Sequence, residues 1–310
     1  MTTSAEAKEN GLARTPPMGW RSWNLYSNHV NQRLLENIMD AMARRDRKDH
    51  LGVPTSYCDL GYCDVGLDDA WQVCDKNKKY RYHDADTGYP VVDKTKFPDM
   101  KKMVDHAHSL NLTAGWYGNN CICKEKSTNE RKFYEGDVKA FRDFGFDSWK
   151  LDACGAQLDL QLWDDLITKT GKPVVVENCH WGSVKPYEPN ATWCPWNFYR
   201  TSEDIMANYG SVLSNLATVN KYAEGGLSRP GCWAYPDMLE VGCQFGAGSH
   251  GANPGLSIEE TRSHFGAWCI VSSPLVLSHD PYNDTVVDEI WPVIANKDVS
   301  AAHYILDFLS

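Results

Sequence analysis

Eight short apolar runs, separated by longer amphipathic segments, restrict the fold of this chain more than any other feature. The runs are 18–24, 62–71, 112–119, 146–155, 173–180, 198–205, 233–239 and 270–279. Helical spacing fills the gaps, at 32–47, 100–109, 137–144, 158–170, 205–220 and 258–268, with a last stretch at 285–298. Leu158, Leu162, Leu166 and Ile167 keep helical spacing, and Gly171 follows as a stop. Ser257-Ile-Glu-Glu260 has the pattern of a capping box. Eight strands alternating with helices predict an α/β fold of the (β/α)8 TIM-barrel type. The competitor, an open doubly wound sheet, usually carries a glycine-rich phosphate turn after its first strand. Gly19-Trp-Arg-Ser-Trp23 is not such a turn. Residues 1–11 read as a polar tail and 12–310 as one barrel domain.

In barrel enzymes the loops after the C-terminal strand ends build the active site. Here those ends finish in charged and aromatic residues: Trp20, Trp23 and Asn24, then Asp68, Asp69 and Trp71, then Trp116, Tyr117 and Asn119. Lys150 and Asp152, Glu177 and His180, Arg200 and Asp204, Asp237, and His279 with Asp280 complete the ring. Stability alone does not need such residues at nearly every strand end. Trp149-Lys-Leu-Asp152 alternates apolar and charged residues, so Lys150 and Asp152 share one face. Taken alone, that pair is equally a surface ion pair or a tuned carboxylate at the mouth of a barrel.

A net charge of -10 and a pI near 5.5 argue against nucleic acid and against anionic membrane surfaces. No apolar run approaches the roughly 20 residues that span a bilayer, and the polar first ten residues are no signal peptide. Eleven cysteines and the sequons Asn111-Leu-Thr113, Asn190-Ala-Thr192 and Asn283-Asp-Thr285 predict a disulfide-bonded glycoprotein, secreted or in a lysosome- or vacuole-like compartment. The odd cysteine count leaves at least one thiol unpaired. Twelve tryptophans fit either a large core or a sugar-stacking pocket.

Glycoside hydrolysis needs two carboxyl groups flanking one bond. Asp152 and Asp204 fall on the fourth and sixth strand ends, close enough in a closed barrel to face each other. With them the chain resembles the family 27 α-galactosidases. The resemblance lies in Leu12-Ala-Arg-Thr-Pro-Pro-Met-Gly-Trp20 with Ser22-Trp-Asn24, in Leu67-Asp-Asp-Ala-Trp71, and in Lys150-Leu-Asp-Ala-Cys154. It continues through Arg200-Thr-Ser-Glu-Asp-Ile205, Tyr235-Pro-Asp-Met-Leu239 and Ser273-Pro-Leu-Val-Leu-Ser278. It implies that Asp152 is the nucleophile of a retaining, exo-acting α-galactosidase and Asp204 its general acid/base. It further implies that Asp68, Asp69 and Lys150 bind sugar hydroxyls, that Trp20 and Tyr117 wall the pocket, that Arg200 touches the 2-position, and that Asp237 and Met238 close the site. Family members usually continue into an antiparallel β domain, and a barrel without that domain is the expectation here.

Some residues depart from the family pattern. Cys179-His-Trp181 stands where the α-galactosidases carry Cys-Glu-Trp, so His180 would read the 2-position, with Glu177 as an inward partner. That leaves α-N-acetylgalactosamine, β-L-arabinopyranose or a glucose-type ring as alternative sugars. A non-catalytic carbohydrate-binding barrel is the alternative of a different class. Ala70 replaces a family cysteine and Tyr235 a family aspartate, the former leaving a disulfide missing or rewired through Cys58, Cys63 or Cys74. The resemblance implies disulfides from Cys154 to Cys121 or Cys123 and from Cys179 to Cys194, with Cys232–Cys243 as a further candidate. No metal and no cofactor are expected, since retaining chemistry needs neither. His29, His50, His83, His106, His108 and His250 show no ligand pattern and read as surface or loop histidines. The expected partner is an oligosaccharide or glycoconjugate substrate, with no nucleic acid or membrane; a homodimer is compatible with the sequence.

Overall fold

The computed structural model describes residue 8 and residues 10–181, 189–190, 192–244 and 255–300. Eight parallel strands form one sheet: β1 Met18–Arg21, β2 Asp64–Gly66, β3 Thr113–Gly118, β4 Ser148–Asp152, β5 Val175–Cys179, β6 Phe198–Arg200, β7 Trp233–Tyr235 and β8 Leu275–Leu277. From β1 to β7 each strand pairs with the next, and β8 pairs with β1. Leu239 N donates to Val276 O at 2.8 Å across the remaining seam between β7 and β8. The chain is a (β/α)8 barrel. Its main helices are α1 Gln32–Ala43, α2 Met100–Ser109, α3 Arg131–Phe144, α4 Leu160–Thr168, α5 Tyr209–Ala217, α6 Ile258–Ile270 and α7 Asp284–Ile294.

Side-chain caps start most of these helices. Asn31, Asp99, Asp159, Asn208 and Asn283 each accept an amide of the first turn, and Ser257 with Glu260 forms the predicted capping box. Several strands are shorter than their apolar runs. β6 stops at Arg200, and residues 201–208 leave the sheet as a loop before Asn208 caps α5.

Strand alternation sorts residues between the barrel interior and the helical layer. Register partners carry one parity around the sheet: Arg21 pairs with Gly66 and Gly66 with Gly115, while Tyr117 pairs with Lys150 and Lys150 with Glu177. The inward set joins charged residues to an apolar cluster of Phe198, Trp233, Tyr235 and Val276. Arg21 Nη2 lies 2.9 Å from Glu177 Oε2, and Arg200 Nη2 lies 2.9 Å from Asp237 Oδ2. Glycine makes room for this: a Cβ on Gly66 would stand 3.3 Å from Arg21 Cγ. The outward set mixes aromatic residues with aliphatics such as Val65, Leu151, Val176 and Leu275. Trp116 stacks on Phe146 at 5.4 Å between centroids, and Trp149 on Phe141 at 4.7 Å, supplying the apolar burial that holds helices to sheet.

Candidate active site

Beyond the C-terminal ends of four strands the chain enters the left-handed region at non-glycine residues: Ala70 (φ 80°), Asn119 (56°), Trp181 (49°) and Asp237 (93°). Each such residue costs about 1–3 kcal/mol and persists where the surroundings enforce it, commonly at functional sites. These turns surround a narrow pocket, and eight of the residues expected at the site line it: Asp68, Tyr117, Lys150, Asp152, Arg200, Asp204, Asp237 and Met238.

Asp152 is buried and held on every side. Its Oδ2 accepts from Tyr117 Oη at 2.6 Å and its Oδ1 from Ala153 N at 2.7 Å, while Asn119 Nδ2 donates to its main-chain carbonyl at 2.6 Å. Burial pushes the carboxyl up to about 7, against the downward pull of Lys150 and of the Tyr117 hydroxyl. Lys150 Nζ donates to Asp68 Oδ2 at 2.9 Å and lies 5.3 Å from the centre of the Tyr117 ring. Burial disfavours the ammonium, yet Asp68, foremost among its neighbours, keeps its pKa above the ordinary value. Asp204 sits on the loop after β6 with its side chain 45% exposed. Arg200 Nη2 and Trp181 Nε1 donate to its Oδ1 at 3.1 and 3.2 Å.

Three expected contacts are placed elsewhere. Trp20 points out of the barrel, its indole donating to the His279 carbonyl at 2.7 Å; Trp23, on the helical turn Trp23–Tyr26, lines the pocket instead. Asp69 is buried with both oxygens occupied. Oδ2 accepts from the Cys121 and Ile122 amides at 2.9 and 2.8 Å, and Oδ1 accepts from Gln72 Nε2 at 2.6 Å and Ala70 N at 2.7 Å. It organises the loop after β3 and has little capacity left for a sugar hydroxyl. His180 is buried, where desolvation lowers its pKa to about 3, and Trp181 is the residue that lines the pocket. Glu177 is inward, as expected, but bonds Arg21. Asn24 and Cys121 also line the pocket.

Four disulfides are present: Cys58–Cys63, Cys74–Cys123, Cys121–Cys154 and Cys194–Cys232. The third joins the loop after β3 to the turn after the Asp152 strand, as the resemblance implied. The expected Cys179–Cys194 and Cys232–Cys243 bridges do not form, and Cys179 and Cys243 are buried thiols. Cys194 and Cys232 both precede their strands, at the N-terminal end of the barrel. Cys179 and Cys243 lie at the other end, out of reach. Because Cys121 and Cys123 belong to separate disulfides, neither offers a thiolate to a metal. His83 is not a surface residue but is buried between two carboxylates; His250 lies outside the described residues.

The carboxylate-rich pocket sits at the C-terminal mouth of a closed barrel, where enzymes of this fold keep their active sites. The family model described as "Alpha galactosidase A" matches residues 15–303, and the chain belongs to that family. It is 32% identical over 307 residues to an α-galactosidase of Oryza sativa, covering 96% of this chain and 65% of the rice protein. It is 31% identical to an α-N-acetylgalactosaminidase of Gallus gallus, covering 88% of this chain and 66% of that one. The chain thus spans just under two thirds of the length of these relatives. The crystal structure of α-galactosidase I from Mortierella vinacea superposes with a TM-score of 0.72 at 28% identity, covering 95% of this chain and 74% of that one.

Proposed function

We propose that this chain is a retaining, exo-acting α-galactosidase that works by double displacement. The observation that carries the reading is the shared pocket: Asp152 and Asp204 line it together, with Lys150, Asp68 and Arg200 between and around them. In this reading Asp152 attacks the anomeric carbon while Asp204 protonates the departing oxygen. Asp204 then removes a proton from water, which releases the sugar with its configuration retained. The Tyr117 hydroxyl and Ala153 amide orient the attacking carboxylate. Lys150 and Asp68 offer a donor and acceptors to sugar hydroxyls, Trp23 and Trp181 offer aromatic faces, and Met238 closes the pocket. Half-exposed Asp204 suits an acid that must meet varied leaving groups and then water. The substrate is the terminal α-galactose of an oligosaccharide or glycoconjugate. Four disulfides and the exposed Asn111 and Asn190, each the first residue of a sequon, support secretion or a lysosome-like compartment, and no helix among the described residues is long and apolar enough to cross a membrane.

A second reading keeps the mechanism and changes the sugar to α-N-acetylgalactosamine, favoured by the similarity to the chicken α-N-acetylgalactosaminidase. A panel of nitrophenyl glycosides separates the two. We expect the α-galactoside to turn over fastest, with NMR showing α-galactose as the first product. β-Galactose would exclude double displacement, and preference for the N-acetylated sugar would establish the second reading.

A further inference from the structure

We propose that His83 is a positioning residue for Asp152: an imidazolium strut, clamped between Glu125 and Asp137, that holds the main chain at the end of β4. The proposal rests on Asp152 acting as the nucleophile. His83 belongs to the long connection between β2 and α2, Glu125 to the loop after β3, and Asp137 to α3. Nδ1 lies 2.5 Å from Glu125 Oε2 and Nε2 lies 3.1 Å from Asp137 Oδ1, and all three side chains are buried. A neutral imidazole has one N–H, so against two carboxylates it would set a lone pair facing negative charge. The imidazolium donates to both. Glu125 Oε1 also accepts from the main-chain nitrogens of Tyr82 and His83, at 3.2 and 3.4 Å.

From this clamp an unbroken line of hydrogen bonds reaches the nucleophile. Gln157 Nε2 donates to Asp137 Oδ2 at 2.6 Å, Gln157 N donates to Asn119 Oδ1 at 3.0 Å, and Asn119 Nδ2 donates to Asp152 O at 2.6 Å. The Cys74–Cys123 and Cys121–Cys154 disulfides tie the same loops together, but none of the hydrogen bonds in this line is made by a cysteine. The other groups against the ring are Tyr82, 4.1 Å away between centroids, and Phe133 of α3 at 5.4 Å, with Lys132 Nζ 5.0 Å from the Phe133 centroid. Burial pulls the imidazole pKa down, but Asp137 and Glu125 outweigh it and leave it at about 9. The folded value is raised, so the strut is fully charged at neutral pH and is lost as pH rises through about 9.

The decisive experiment measures the pre-steady-state burst of dinitrophenolate from a dinitrophenyl α-galactoside. That leaving group needs no proton, so Asp204 does not enter the profile. The wild-type burst is expected to fall away near pH 9. Glu125→Gln leaves one carboxylate on the ring, and its alkaline limb should move toward neutrality by about one pH unit or more, with the rate near pH 7 within about threefold of wild type. His83→Gln should lower the burst rate about tenfold while moving KM less than kcat. Nitrogen-edited NMR of the whole chain near pH 7 should show both ring nitrogens protonated. An unmoved limb in Glu125→Gln, or a neutral ring, overturns the strut. Failure of every glycoside to turn over would instead remove the functional reading. The NMR result and amide exchange at Ala153 and Gln157 in Glu125→Gln would then decide the strut alone, unchanged exchange counting against it.

Discussion

Asp152 and Asp204 line one pocket but are built into it differently. Asp152 is buried, accepts two hydrogen bonds, and stands beside a disulfide, with the His83 network behind it. Asp204 is nearly half exposed, on a loop, and accepts from Arg200 at 3.1 Å and Trp181 at 3.2 Å. The proposed chemistry accounts for the contrast. A nucleophile must approach one carbon along one line, where small misplacement is costly. An acid/base must serve an aglycone and then a water, and solvent access helps.

The largest test of that contrast is removal of each carboxylate. Asp152→Ala should abolish turnover of every glycoside, by a factor on the order of 10⁴ or more in kcat. Asp204→Ala should cost about 10²–10⁴ with poor leaving groups and far less with dinitrophenolate. Equal losses across leaving groups would remove the acid/base assignment. Next in size, replacing Cys121 and Cys154 together by serine should destabilise the fold by about 3 kcal/mol in urea titrations. If the unclamped enzyme kept wild-type kcat, rigidity on the nucleophile side would not matter. Smallest is the pH effect. Attack requires ionised Asp152, whose carboxyl burial raises to about 7, so kcat/KM should fall as pH drops through that value. Tyr117→Phe removes a hydrogen bond to the ionised form and should move this acid limb upward by about one pH unit. A limb that stays put would mean that it does not report Asp152.

The strand number, the barrel and the pairing of Lys150 with Asp152 on one face were legible in the sequence, because alternation and helical spacing leave a strong mark. The same alternation explains the misplaced contacts. Trp20 has the opposite parity to inward Arg21, Asp69 to inward Asp68, and His180 to inward Cys179. Applied at those three strands as it was at β4, parity would have turned each side chain away from the mouth. Trp23 needed more, because it follows a break from strand to helical turn that no local pattern announces. Cysteine pairing was beyond local reasoning as well. It depends on which end of the barrel each residue occupies, and strands of three residues make those ends hard to locate. His83 carried no signal, since its partners lie 42 and 54 residues away.

The charged interior of the barrel has a thermal consequence. Where many barrels fill their centre with branched aliphatics, this one sets Arg21, Lys150, Glu177 and Arg200 beside the apolar Phe198, Trp233 and Tyr235. Unfolding it would expose ionic surface, which lowers the heat capacity, alongside the aromatic surface of the helical layer, which raises it. This ionic share should lower the heat-capacity increment per residue relative to an aliphatic-filled barrel of equal length, and calorimetry should find a correspondingly flatter curve of stability against temperature.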